Sequence, residues 1–226
     1  MRGICLVSGG LDSTLSLVRL LQDDNKVLPM FINYNHWATE GELDAAKKVY
    51  NWLGCLNKYL ILPLIELKVS IGNEKVGSVW GRGIAMVGIA SMWAYTHGDN
   101  YDFIALGNHK GDVSPDCKPG QFDEWLNGAL RIATKDKMAL VLPVYGLTTE
   151  DIGREVGKSI PFDLMYSCYW YPPCGYKSEN ESYRCPGCRR KVIAMKAAGI
   201  TDKKLLELPN CMQRTYQSEL AEKVGY

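Results

Sequence analysis

The chain has 226 residues, 46% of them hydrophobic and 23% charged, with a formal net charge of +1; that length supports its own core, and that balance lacks the strong positive charge of an electrostatic nucleic-acid binder. No apolar run nears the roughly 20 residues that span a bilayer, and the N-terminus MRGICLV lacks the layout of a secretory signal. The expected location is the cytoplasm, with neither a membrane nor a nucleic acid expected as a partner.

Residues 3–7, GICLV, read as a buried strand: short, apolar and closed by a turn. Leu11, Leu15, Val18 and Leu21 recur at three- and four-residue spacing and predict a helix over 11–22. A second strand is expected over 26–33, a second helix over 40–53 closed by Gly54, and a third strand over 58–62. The glycine-rich passage 72–83 reads as a loop, followed by an apolar helix over 84–97. A fourth strand over 102–107, a helix over 122–133 and a fifth strand over 139–144 come next. Thr148 or Thr149 caps a short helix ending at Val156. A cysteine-rich region follows, then a helix over 189–198 closed by Gly199, and a helical tail from Thr201.

Strands alternating with helices predict an α/β fold: a Rossmann-like, doubly wound, five-stranded parallel sheet covered on both faces. It is expected to occupy residues 1–160, with a C-terminal metal-binding helical region over 161–226. Ligands of such sheets lie beyond the carboxyl ends of the strands, where strand order reverses. The segments that begin at Ser8 and at Gly107 should therefore converge.

Between the first strand and the first helix stands Ser8-Gly9-Gly10-Leu11-Asp12-Ser13-Thr14. The first N–H groups of a helix have no partner inside it and carry partial positive charge. Glycine lets an anion approach the backbone, and the three hydroxyls add donors. Asp12 would repel phosphate directly, but a carboxylate can hold Mg²⁺ against phosphates. The plainer alternative is a strand–helix turn capped by Asp12 or Ser13. The string lacks the spacing and lysine of a Walker loop and is not GxGxxG. It resembles the PP-loop, SGGxDS, of the ATP pyrophosphatase superfamily. The resemblance implies an adenine nucleotide alpha-hydrolase-like fold with ATP on Val7, Ser8, Gly9, Gly10, Leu11, Asp12, Ser13, Thr14, Leu15, Ser16 and Leu17. Tyr34 and Asn35, after the second strand, would face the adenine.

Of eight cysteines, Cys168, Cys174, Cys185 and Cys188 fall together with the spacing C-x5-C-x10-C-x2-C. A reducing compartment disfavours disulfides. The CxxC knuckle can place two thiolates on one tetrahedral ion, and the other two complete a closed Zn²⁺ site with a structural role. An iron–sulfur cluster and four unliganded thiols are the alternatives.

Taken together, the two motifs resemble the 7-cyano-7-deazaguanine synthase family over roughly residues 4–200. The matching strings are CLVSGGLDSTL, ELDAAKKVYNWLG, ALGNHKGDVSPDCKP, PFDLMYSCYW and CRRKVIAMKAAGI. Three departures stand out. VWGRG replaces a V-P-x-R-N string and puts Gly83 where Asn is usual; NYNHWATEGE lacks a Q-R-H string but keeps His36; and an insert separates Cys174 from Cys185. The resemblance implies an ATP-dependent ligase that adenylates the carboxylate of 7-carboxy-7-deazaguanine, forms an amide with ammonia and eliminates to the nitrile. Ser8, Asp12, Ser13, Arg82 and Lys110 are expected to serve catalysis, and Arg82, Asn108, Asp112 and Asp116 the substrate; the plainer alternatives are a surface arginine for Arg82 and an Asx-capped turn for Asp112 and Asp116. The resemblance also implies Mg²⁺ and a homodimer; with no glutaminase signature visible in the sequence, free ammonia is the expected nitrogen source. His36 and His109 lie at strand ends near the expected cleft, and His97 at a helix end. The alternative is a PP-loop enzyme that transfers an activated carboxylate or deazaguanine to another acceptor, including RNA or protein.

Overall fold

The computed structural model describes residues 1–71, 81–98, 100–109, 120–169 and 185–200. The described strands are β1 (Arg2–Leu6), β2 (Lys26–Asn33), β3 (Ile65–Lys68), β4 (Phe103–Ala105) and β5 (Ala139–Val141). They form one sheet in the order β3-β2-β1-β4-β5, with every pairing parallel. The helices are α1 (Leu11–Gln22), α2 (Thr39–Leu56), α3 (Arg82–Thr96), α4 (Gln121–Ala133), α5 (Thr149–Val156) and α6 (Pro186–Ala197).

Side chains alternate across a strand, and the two faces carry separate cores. Cys5, Val27, Phe31 and Phe103 pack with Leu15 and Val18 of α1, Val49 of α2, Ile152 of α5 and Met195 of α6. Ile4, Leu28, Met30 and Ile104 pack with Val87 and Ala90 of α3 and with Leu126 and Leu130 of α4. Strands buried on both faces read as continuous apolar runs, which is why GICLV and KVLPMFIN are legible as strands. The order reverses between β1 and β4, so the crevice opens beyond their carboxyl ends.

Two elements differ from the sequence expectation. The third strand is Ile65–Lys68, not 58–62, where only Ile61 bridges to Val27. The Val27 carbonyl accepts from Leu62 and its N–H donates to Leu60, but Pro29 and Pro63 offer no N–H to continue the ladder. The partner register then slips by one before Met30 meets Ile65. Helix α2 also runs through Gly54 to Leu56. A glycine inside a helix costs about 1 kcal/mol relative to alanine, and that is too little to stop a helix whose Val49 and Leu53 are buried.

Thr148 is the cap of α5: its hydroxyl accepts from the Asp151 N–H, and the Asp151 carboxylate accepts from the Thr148 N–H. No helix among the described residues is long and apolar enough to cross a membrane.

Candidate functional site

The turn after β1 is built around Gly9, which has φ +70°; a Cβ there would lie 2.5 Å from the Ala46 nitrogen of α2. Gly10 is the N-cap of α1 in an extended conformation and brings no side chain of its own; its N–H donates to Ser8 Oγ at 3.4 Å and its carbonyl accepts from Ser13 Oγ at 3.3 Å. The Ser8 N–H donates to Ser13 Oγ at 3.1 Å, and the two hydroxyl oxygens lie 3.1 Å apart. The buried Thr14 Oγ1 has no hydrogen-bond partner among the described residues. An uncapped helix start with a close hydroxyl pair is the donor set an anion requires. The other residues expected here serve the helix: Val7, Leu11, Leu15 and Leu17 are core side chains, and Ser16 Oγ turns back to the Asp12 carbonyl at 2.9 Å.

Gly107, which follows β4, meets this turn as expected. A Cβ on Gly107 would sit 2.7 Å from the Ser13 nitrogen. Next to it, Asn108 Nδ2 donates to Asp123 Oδ1 at 3.4 Å. His109 is buried. Lys110, Asp112 and Asp116 lie outside the described residues.

Asp12 has a partner that sequence reasoning missed. Arg190 Nη2 of α6 donates to Asp12 Oδ2 at 2.8 Å, and the same nitrogen donates to His109 Nε2. A guanidinium has no acceptor, so the histidine nitrogen accepts. The two ends of the ion pair stand 178 positions apart, beyond any local spacing rule.

A second wall forms beyond β2. The Tyr34 ring stacks on His36, with centroids 4.6 Å apart, and Arg82 Nη1 donates to the Tyr34 hydroxyl at 3.4 Å. His36 Nδ1 accepts from the Ala38 N–H, which leaves Nε2 facing Glu42 Oε2 at 3.3 Å. Burial pushes the Tyr34 phenol up, against the opposing pull of Arg82. Partial desolvation works against the Arg82 charge, but Tyr34, Glu42 and Tyr169 outweigh it, and its pKa rises. Asn35 is left-handed at φ 60°, with its N–H on Asn33 Oδ1.

Cys168, Cys185 and Cys188 are buried, and their sulfurs all lie within 4.8 Å of one another. A tetrahedral zinc with Zn–S bonds of about 2.3 Å places its sulfurs about 3.8 Å apart; Cys185 and Cys168 stand at 3.9 Å. The three thiols fit such an ion. Cys174, the fourth expected ligand, lies outside the described residues. Cys185 also caps α6, its sulfur accepting from the Cys188 N–H, with Pro186 beginning the helix. The positive end of α6 favours thiolates there. Lys191 is buried beneath the site with Nζ on the Met165 carbonyl at 2.6 Å; burial pushes its pKa down to about 8, against the pull of Cys188 and Asp163. One residue on, the Tyr166 N–H donates to the Gly9 carbonyl at 2.9 Å, so the segment entering the cysteine centre is bonded to the glycine turn.

The model of the family described as "Queuosine biosynthesis protein QueC" matches residues 2–199. Proteins named 7-cyano-7-deazaguanine synthase are similar along nearly their whole length. The one from Methanocaldococcus jannaschii is 29% identical over 238 residues, which cover 90% of this chain and 98% of the relative. That from Methanococcus maripaludis strain S2 is 27% identical, over 89% and 97% respectively. That from Campylobacter curvus is 26% identical, over 89% and 96%. Among solved structures, one titled as a predicted subunit of a tRNA methyltransferase from Methanocaldococcus jannaschii overlays with a TM-score of 0.38. It is 17% identical and covers 67% of this chain and 73% of that one.

Proposed function

The chain belongs to the QueC family of queuosine biosynthesis proteins, and from that premise we propose that it is the ATP-dependent ligase that makes 7-cyano-7-deazaguanine from 7-carboxy-7-deazaguanine and ammonia. The observation that carries the proposal is the uncapped start of α1, with the Ser8–Ser13 hydroxyl pair and Asp12 at its mouth. Support comes from the relatives, whose name is that of this activity.

A carboxylate is a poor acceptor because its leaving group would be oxide. In the proposed sequence a carboxylate oxygen attacks the α-phosphorus of ATP and pyrophosphate leaves. Ammonia adds to the activated carbon, and AMP departs to give the amide. A second ATP activates the amide oxygen; loss of the amide protons and AMP leaves the nitrile. The α1 N–H groups and the Ser8 and Ser13 hydroxyls would bind the departing phosphates, where charge develops. Mg²⁺ on Asp12 would supply further charge neutralisation. Arg82 is suited to the substrate carboxylate, because a guanidinium binds carboxylate in fork geometry. Zinc on the cysteine centre would stabilise the fold. The reading includes a homodimer: α3 carries no charge after Arg82 and exposes Ile84, Met92 and Tyr95, and α4 exposes Trp125 and Ile132.

The test is AMP release. The wild-type protein should form AMP only when 7-carboxy-7-deazaguanine is present. Asp12→Ala should lose that rate by about a hundredfold or more. AMP formation that ignores the deazaguanine, or that survives Asp12→Ala, contradicts the proposal.

A further inference from the structure

Arg190 lies two residues beyond Cys188 on the helix that the cysteine centre begins. Three things fix that helix. Cys185 and Cys188 hold its first turn, Gly187 packs so closely on the Ser167 carbonyl that no Cβ would fit, and Ala194 seats on Gly153 of α5. A single nitrogen of Arg190 then reaches two segments that the sheet brings together: Asp12 at the start of α1 and His109 beyond β4.

We propose that Arg190 is a positioning residue that couples the cysteine centre to the phosphate cradle. The inference rests on the reading that ATP binds at the start of α1. A carboxylate at the mouth of an anion site repels a polyphosphate. Arg190 offsets that charge and fixes the carboxylate, so the N–H groups and hydroxyls of the cradle dominate its field. The placement of Arg190 depends on the first turn of α6, and that turn is anchored by the metal-ligating thiols. Metal occupancy at the cysteines thereby sets nucleotide affinity at a site they do not touch.

Calorimetric titration with MgATP, alongside metal analysis, tests this on wild type, Arg190→Met and Arg190→Lys. Arg190→Met should keep the wild-type metal content and bind MgATP about 10- to 100-fold more weakly. Arg190→Lys should recover part of the loss, because the charge is kept and the two-acceptor geometry is not. Removing the metal with a chelator should weaken wild type by a similar factor and add little to the loss in Arg190→Met, the non-additivity expected of one linked pathway. Binding by metal-loaded Arg190→Met within twofold of wild type overturns the proposal. So does an equal effect of metal removal on both proteins. A wild-type protein that binds no MgATP instead overturns the reading of the cradle, and the coupling falls with it.

Discussion

Asp12 shows what a single residue discloses from sequence and what it conceals. Its place in SGGLDST marks it as an acid at the mouth of a helix start, and the structure puts it there, because strand, turn and helix start are contiguous in the chain. Its ion pair with Arg190 is tertiary, and nothing in the CRRK string distinguishes Arg190 from a solvated neighbour. His36 is an intermediate case. The expected Q-R-H string is missing, yet His36 still reaches an acid, Glu42, six positions on at the start of α2. Asp151 carries a prediction at this scale. Hydrogen bonds from the Thr148 hydroxyl and N–H, and then Arg154, lower its pKa from 3.8 to about 2. A carboxylate whose folded pKa is depressed contributes stability that is complete above the unfolded value and fades as pH falls through the folded one. Wild type should therefore lose stability relative to Asp151→Asn as pH falls from 3.8 toward about 2, as read by denaturant midpoints across that window.

At the scale of elements, helices with a clear apolar face and strands buried on both sides are legible, and α1 and β2 occupy the residues expected of them. The third strand is misplaced because two prolines break its ladder, an effect that depends on which neighbour each residue of β2 faces. The α5–α6 contact is not legible either, although it sets Arg190 in place. Gly153 looks like an indifferent helical glycine, yet a Cβ there would lie 2.3 Å from the Ala194 carbonyl. Gly153→Ala must push α6 away, since backbone atoms cannot yield as a flexible side chain can. The expected cost is about 1–3 kcal/mol in urea unfolding. MgATP affinity should fall as well, because Arg190 moves with α6. Unchanged stability would mean that the two helices do not pack this closely.

Across the whole molecule, the reversal of strand order between β1 and β4 does what the alternation of strands and helices implied. It brings Ser8–Ser13 and Gly107 to one crevice, and α6 returns from the far end of the described chain to close it. The Ser8–Thr14 string and the cysteine spacing are legible because each is local in the sequence. Their connection through Tyr166 on Gly9 and Arg190 on Asp12 comes only from folding. The activity proposed for this crevice is the conversion of a deazaguanine carboxylate into a nitrile. The most direct measurement is mass spectrometry of the product after incubation with 7-carboxy-7-deazaguanine, ATP, Mg²⁺ and ¹⁵N-ammonium. The expected product is 7-cyano-7-deazaguanine with one ¹⁵N in the nitrile, formed together with AMP. Unchanged 7-carboxy-7-deazaguanine, or a product that stops at the amide, would contradict the proposed activity.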